Sequence, residues 1–201
     1  MKLQITLFFT VLLTITFLSF KSKNEINNCY ISFKNATNLK AEKPEQKPRN
    51  AGNSRIVNTA YGDVEVTSVE GFRIIYNNNK KAPFVNLKVE LSDPDSYETD
   101  QKKIIDNLKY LNSGSPGMES EELVELTFNG YKISGLSRAN IETGSTLGIF
   151  AMFPGNGVTV YFYFNNAKSG LRNFENVEEY RKQRDVFLEE YTKYLAVCSG
   201  K

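Results

Sequence analysis

At 201 residues, with 40% hydrophobic and 24% charged side chains, the chain has the make-up of one globular domain with accessory segments, which excludes a disordered, collagenous or multi-span membrane protein. The absence of histidine excludes Ser-His-Asp and Cys-His catalysis, the HExxH zinc proteases and every Cys/His zinc finger. The formal net charge of +2 divides unevenly: residues 21–56 hold eight Lys or Arg against three acids, and residues 57–201 hold sixteen against twenty, so the folded part lacks the basic face of a nucleic-acid binder.

Met1-Lys2 precedes an uncharged apolar run over residues 3–20, which is the plan of a signal peptide. Signal peptidase takes small residues at −1 and −3, and Ser19 or Ser22 at −1 would place Phe17 or Phe20 at −3. Residues 1–20 are therefore expected to be either a signal peptide or an uncleaved membrane anchor. As a helix the run reaches about 27 Å, just short of a ~30 Å hydrocarbon core. Cys29 follows Ile26-Asn27-Asn28, without the Leu and small residues that lipidation requires. The expected location is exported, periplasmic or extracellular. Residues 21–56 are rich in Lys, Asn, Pro, Glu and Gln with almost no apolar periodicity; they read as a flexible basic linker, first of all a soluble spacer, with attraction to anionic lipid or cell-wall polymer as the second reading.

Residues 57–201 read as the domain. Val64 and Val66 alternate with charged neighbours, Phe72 to Tyr76 and Phe84 to Leu91 are β-branched and aromatic, and Asn77-Asn78-Asn79 and Pro83 break the run; the pattern predicts three strands. Asp95 and Glu98 have capping-box spacing for a helix that carries Tyr97, Ile104, Ile105, Leu108 and Leu111 on one face and stops at Asn112-Ser113-Gly114. Val124, Leu126 and Phe128 then alternate into Asn129-Gly130, the favoured type I′ pair, and Tyr131, Ile133 and Gly135 lead out. A second hairpin joins Leu147–Phe153 to Val158–Phe164 through Pro154-Gly155-Asn156-Gly157. The final helix is capped by Asn176 and Glu179 and lined by Val177, Tyr180, Phe187, Tyr191 and Leu195. The order βββ, α, ββββ, α with short connections predicts an α+β fold, a mostly antiparallel sheet covered by two helices. Thr159 to Phe164 is bulky at nearly every position, as in a strand covered on both faces.

No residue pattern specifies a catalytic or metal site. Asp93, Asp95, Glu98 and Asp100 begin like an EF-hand loop, but Tyr97, Glu98 and Ile104 occupy positions that need an oxygen ligand, a glycine and a bidentate Glu. Acids at a helix start are explained by capping and the macrodipole. Glu119, Glu121, Glu122 and Glu125 read as a charged sheet edge. The segments around Ser134-Gly135 and Thr143-Gly144-Ser145 match neither G-x(4)-G-K-[ST] nor G-x-S-x-G, so no cofactor is implied. Tyrosines present apolar area with a polar tip. Tyr131, Phe150, Tyr161 and Tyr163 are the candidate ligand or partner surface, with a helix packed over Tyr161 and Tyr163 as the bland alternative. Cys29 and Cys198 can pair in an oxidising compartment, tying the linker to the C-terminus, whereas the lack of a redox motif beside either favours free thiols.

From about residue 62 to 197 the layout resembles the PsbP-like superfamily, on Leu126 to Tyr131, Gly135, Gly148-Ile149-Phe150 and Val158 to Phe164 before a terminal helix. The resemblance implies an α/β/α sandwich and an exported bacterial member with a non-enzymatic binding or assembly role, and it assigns no functional residues. The expected function is thus a non-enzymatic envelope protein acting through a protein partner. The alternative is a carrier of a small apolar ligand, which a closed cavity lined by Tyr131, Phe150, Tyr161 and Tyr163 would favour.

Overall fold

The computed structural model describes residues 26–36, 39–46, 54–59, 62–77, 85–93, 95–112, 122–137, 146–165 and 174–200. Residues 1–20, expected as the leader, lie outside the described residues, as do Asn78, Asn79, Pro83, Glu119, Glu121 and the Thr143 to Ser145 segment. Among the described residues no helix is long and apolar enough to cross a membrane.

The first departure from expectation is the segment read as a linker. Asn27 accepts the amide of Cys29 at 2.9 Å and starts a single 3-10 turn, Asn28–Tyr30. Three short strands follow: β1 (Asn35–Ala36), β2 (Leu39–Ala41) and β3 (Glu45–Gln46). β1 pairs with β2, and both β2 and β3 pair antiparallel with a later strand, β5 (Gly62–Asn77). Ile26, Cys29, Phe33 and Leu39 are all buried in the main core. Residues 26–36 and 39–46 are thus part of the domain and not a flexible linker. Four well-seated apolar side chains and the pairing to β5 offset a chain entropy that composition alone judged too large.

β4 (Ser54–Thr59) pairs with the first part of β5. The two strands expected between residues 63 and 76 are one, β5, which runs through Glu70-Gly71 without turning. The register instead shifts between Ser68 and Glu70 against β6 (Val85–Ser92), as a single interior glycine often signals. The first helix, α1 (Tyr97–Asn112), is preceded by Ser96, one residue after Asp95, the cap proposed from sequence. Ser96 carbonyl accepts the Asp100 amide at 2.8 Å, and Ser96 hydroxyl meets the Asp100 carboxylate at 3.2 Å. Two hairpins follow, β7 (Glu122–Phe128) with β8 (Tyr131–Ser137) and β9 (Thr146–Gly155) with β10 (Val158–Asn165). Both turn on Asn-Gly pairs with positive φ, Asn129 (49°) with Gly130 (80°) and Asn156 (54°) with Gly157 (76°), as type I′ turns require. The last helix, α2 (Val177–Cys198), is capped by Asn176, whose side chain accepts the Glu179 amide at 2.8 Å.

Among the described residues every strand pairing is antiparallel, and the strands run in the order β1-β2-β5-β6-β10-β9-β8-β7, with β3 and β4 each pairing only with β5. On one face Val85, Leu87, Val89 and Leu91 of β6 and Val160, Phe162 and Phe164 of β10 meet Tyr180, Phe187, Leu188, Tyr191 and Leu195 of α2. On the other face Ala151, Tyr161 and Leu136 meet Ile104 and Leu108 of α1. The chain is therefore α+β, with one helix on each side of a mostly antiparallel sheet, and the bulky strand Thr159 to Phe164 is covered on both faces.

Candidate functional site

The four residues expected to form one surface do not meet. Tyr131 and Phe150 belong to the α2 side of the sheet, whereas Tyr161 and Tyr163 belong to the α1 side. Side chains alternate along a strand, and the residues of β8, β9 and β10 that share a face are set by register: Phe150 lies opposite Gly135, and Tyr163 opposite Ile149. Phe150 is fully buried, its ring 5.7 Å from Phe164. Tyr161 is also buried; its ring stacks on half-buried Tyr163 at 6.3 Å, and Lys88 Nζ lies 5.0 Å from the Tyr163 ring centre. The space between these tyrosines and α1 is about 100 Å³, well below the ~300–1,000 Å³ of small-molecule sites.

A larger concavity lies along the outer side of α1. It is an open groove of about 790 Å³ between that helix and the β7–β8 hairpin. Helical spacing places Glu98, Lys102, Asp106 and Lys109 on one wall; Glu125 of β7 and Lys132 of β8 form the other, over a floor of Ile105 and Phe153. Three cations and three carboxylates share it, so it presents no single-sign field to a polyanion. At its mouth, Tyr97 hydroxyl donates to Val158 carbonyl at 2.8 Å and accepts the Gly155 amide at 3.3 Å, tying the start of α1 to the β9–β10 turn. Burial pushes the Tyr97 phenol above its ordinary value, and the Gly155 hydrogen bond opposes that shift in part. β7 is the last strand in the sheet order, and Glu125 on it is exposed. The acids at the helix start act within the turn: Asp93 carboxylate accepts the Asp95 amide at 3.0 Å.

Sequence reasoning missed Arg184, which is 5% exposed on the sheet side of α2. Its Nε donates to Asp185 at 2.7 Å and its Nη1 donates to Ser137 Oγ at 3.3 Å. The guanidinium lies 5.4 Å from the Phe150 ring centre and 5.7 Å from that of Tyr180. Ser137 hydroxyl in turn donates to Tyr180 hydroxyl at 3.3 Å, so the serine proton goes to a phenol and not to a base. The signal was present: Arg184 falls four residues after Tyr180 and three before Phe187, on the apolar stripe. The groove lysines carried no such mark, because charges at i, i+4 on a helix read as intrahelical pairs wherever they face.

Cys29 and Cys198 are bonded, with Cα atoms 5.8 Å apart across 169 residues of sequence. Cys29 is 7% exposed, whereas Cys198, at the end of α2, is exposed. No family model matches the chain, and neither a curated protein nor a solved structure is similar to it.

Proposed function

We propose that this chain is an exported or membrane-tethered, non-enzymatic binding protein of the cell envelope, built on a PsbP-like α/β/α sandwich, whose protein partner docks in the groove between α1 and the β7–β8 hairpin. The Cys29–Cys198 bond carries the reading, because disulfides persist in oxidising compartments and are rare where glutathione keeps thiols reduced. The groove supports the choice of partner: its mixed charges suit a polypeptide with both signs of side chain more than a nucleic acid or a polyanionic polymer. The carrier reading has no comparable support, since the sheet separates Tyr131 and Phe150 from Tyr161 and Tyr163.

Fractionation of the native cells with alkylation before and after reduction tests the location. Both cysteines should resist alkylation until reduced, in the membrane or extracytoplasmic fraction; free thiols in the cytosol would overturn it. Photo-crosslinkers at Lys109 and Lys132 test the groove. A discrete adduct from these positions, with none from Lys182 on the outer face of α2, is expected, and equal labelling from all three would exclude groove docking.

A further inference from the structure

We infer that residues Ile26 to Ala36 are a redox-controlled latch, closed by the Cys29–Cys198 bond and opened by its reduction. Among the described residues the backbone-to-backbone hydrogen bonds of Asn27 to Lys34 run within the arm or to Ala41 just beyond it, from Tyr30 to Asn27, from Ile31 to Asn28 and from Ala41 to Lys34. What fastens it across the fold is side-chain chemistry. Tyr191 hydroxyl donates to Tyr30 carbonyl at 2.9 Å, and Tyr76 hydroxyl donates to Phe33 carbonyl at 2.8 Å. The Phe33 ring sits 5.4–6.0 Å from the rings of Tyr76, Phe187, Tyr191 and Tyr194. The disulfide is the one covalent clasp, and its two ends differ in access: Cys29 is buried and Cys198 is exposed.

That asymmetry sets the chemistry of opening. The thiolate of a protein dithiol attacks the sulfur of exposed Cys198, the S–S bond breaks, and Cys29 leaves as a thiolate that takes up a proton. The second thiol of the reductant then attacks the mixed disulfide, releasing Cys198 and oxidising the dithiol to its own disulfide; two electrons and two protons pass to the two cysteines. Freed at Cys29, the arm loses the bond that holds its turn against the end of α2, and local opening then breaks the aromatic contacts, the seat of Ile26, two phenol hydrogen bonds and the two-residue β1–β2 pairing. Where the segment before Ile26 is anchored, which rests on the tethered reading above, opening lengthens the tether by up to about 37 Å for eleven extended residues. The redox state of the envelope then sets the reach of the domain.

Hydrogen exchange on the full chain, oxidised and in dithiothreitol, tests the latch independently of location or partner. Amides of residues 26–36 should exchange ~10-fold faster or more on reduction, while those of β10 stay within about twofold. An unchanged arm would overturn the proposal, since packing alone would then hold it. Equal acceleration in β10 would overturn it too, making the bond a staple of the whole fold. The Phe33→Ala variant, with its disulfide intact, should show the arm still protected within about twofold; exchange as fast as in the reduced chain would assign the closure to the aromatic seat and not to the bond.

Discussion

Phe150 lies over two glycines. A Cβ built at Gly135 would penetrate the Phe150 ring, and one at Gly148 would penetrate both the Tyr180 hydroxyl and the Phe150 edge. The aromatic ring and the Arg184 guanidinium stacked near it occupy the space that two absent side chains leave. Gly148→Ala gains at most ~1 kcal/mol from a stiffer unfolded chain, against ~1–3 kcal/mol for forcing a packed core apart. The variant should therefore lower the urea midpoint at unchanged slope, and a raised midpoint would show that the Tyr180 ring yields freely. Tyr191→Phe removes the donor to Tyr30 carbonyl and should cost about 1 kcal/mol in the same assay. At this scale the sequence was a good guide to burial and a poor one to company. Tyr131, Phe150 and Tyr161 are buried as bulky strand residues tend to be, but which face each one takes depends on the register of three strands, and no single strand carries that information.

The elements whose ends are marked by chemistry were legible in advance. Asn129-Gly130 and Asn156-Gly157 take the turns their types dictate, and Asn176 caps α2 as expected. The two turn asparagines nevertheless differ. Asn129 amide donates to Glu189 carbonyl at 3.1 Å and to Thr192 Oγ1 at 3.0 Å, stitching the β7–β8 turn to α2, whereas Asn156, exposed like Asn129, makes no such stitch among the described residues. Asn129→Ala should cost about 2–4 kcal/mol, the loss of turn preference plus two hydrogen bonds. Asn156→Ala should cost no more than about 1 kcal/mol, and equal losses in chemical denaturation would mean that the stitch to α2 adds nothing. The N-terminal arm was the element that composition misjudged. Ile26, Cys29 and Phe33 are spaced by three and four residues, as on a helix face, but Leu39 follows only after six, and the segment folds as one 3-10 turn and short strands; two helical intervals among Lys, Asn and Glu are too short a run to signal burial. The groove is likewise a property of two elements, α1 and the β7–β8 hairpin, that the sequence describes separately.

Across the whole molecule, tyrosine is the titrating group that burial perturbs most. Burial holds the Tyr76, Tyr180 and Tyr191 phenols above their ordinary value of 10.0, and neighbouring tyrosines push Tyr191 further in the same direction. Below pH 10 these groups are protonated whether the chain is folded or not, and their contribution to stability is fully present. Above pH 10 the unfolded chain ionises while the buried phenols do not, so stability falls by about 1.4 kcal/mol per pH unit for each of them until the folded state also ionises. The last part of the absorbance rise at 295 nm, that of the buried phenols, should therefore coincide with the loss of near-ultraviolet circular dichroism above pH 10. A rise completed before unfolding would mean that these phenols are reached by water in the native fold.

The position of the disulfide also has a mechanical meaning. Tension applied to the chain ahead of Ile26 reaches Cys29 first, and there it crosses into the last turn of α2 at Cys198, so the arm from Tyr30 to Ala36 and the short β1–β2 pairing carry none of it. The force enters a 22-residue helix packed along the central strands instead of peeling strands from the sheet one at a time. In the oxidised protein a pull on the N-terminal segment thus loads the fold along the helix whose Tyr180, Phe187, Leu188, Tyr191 and Leu195 are buried in the main core.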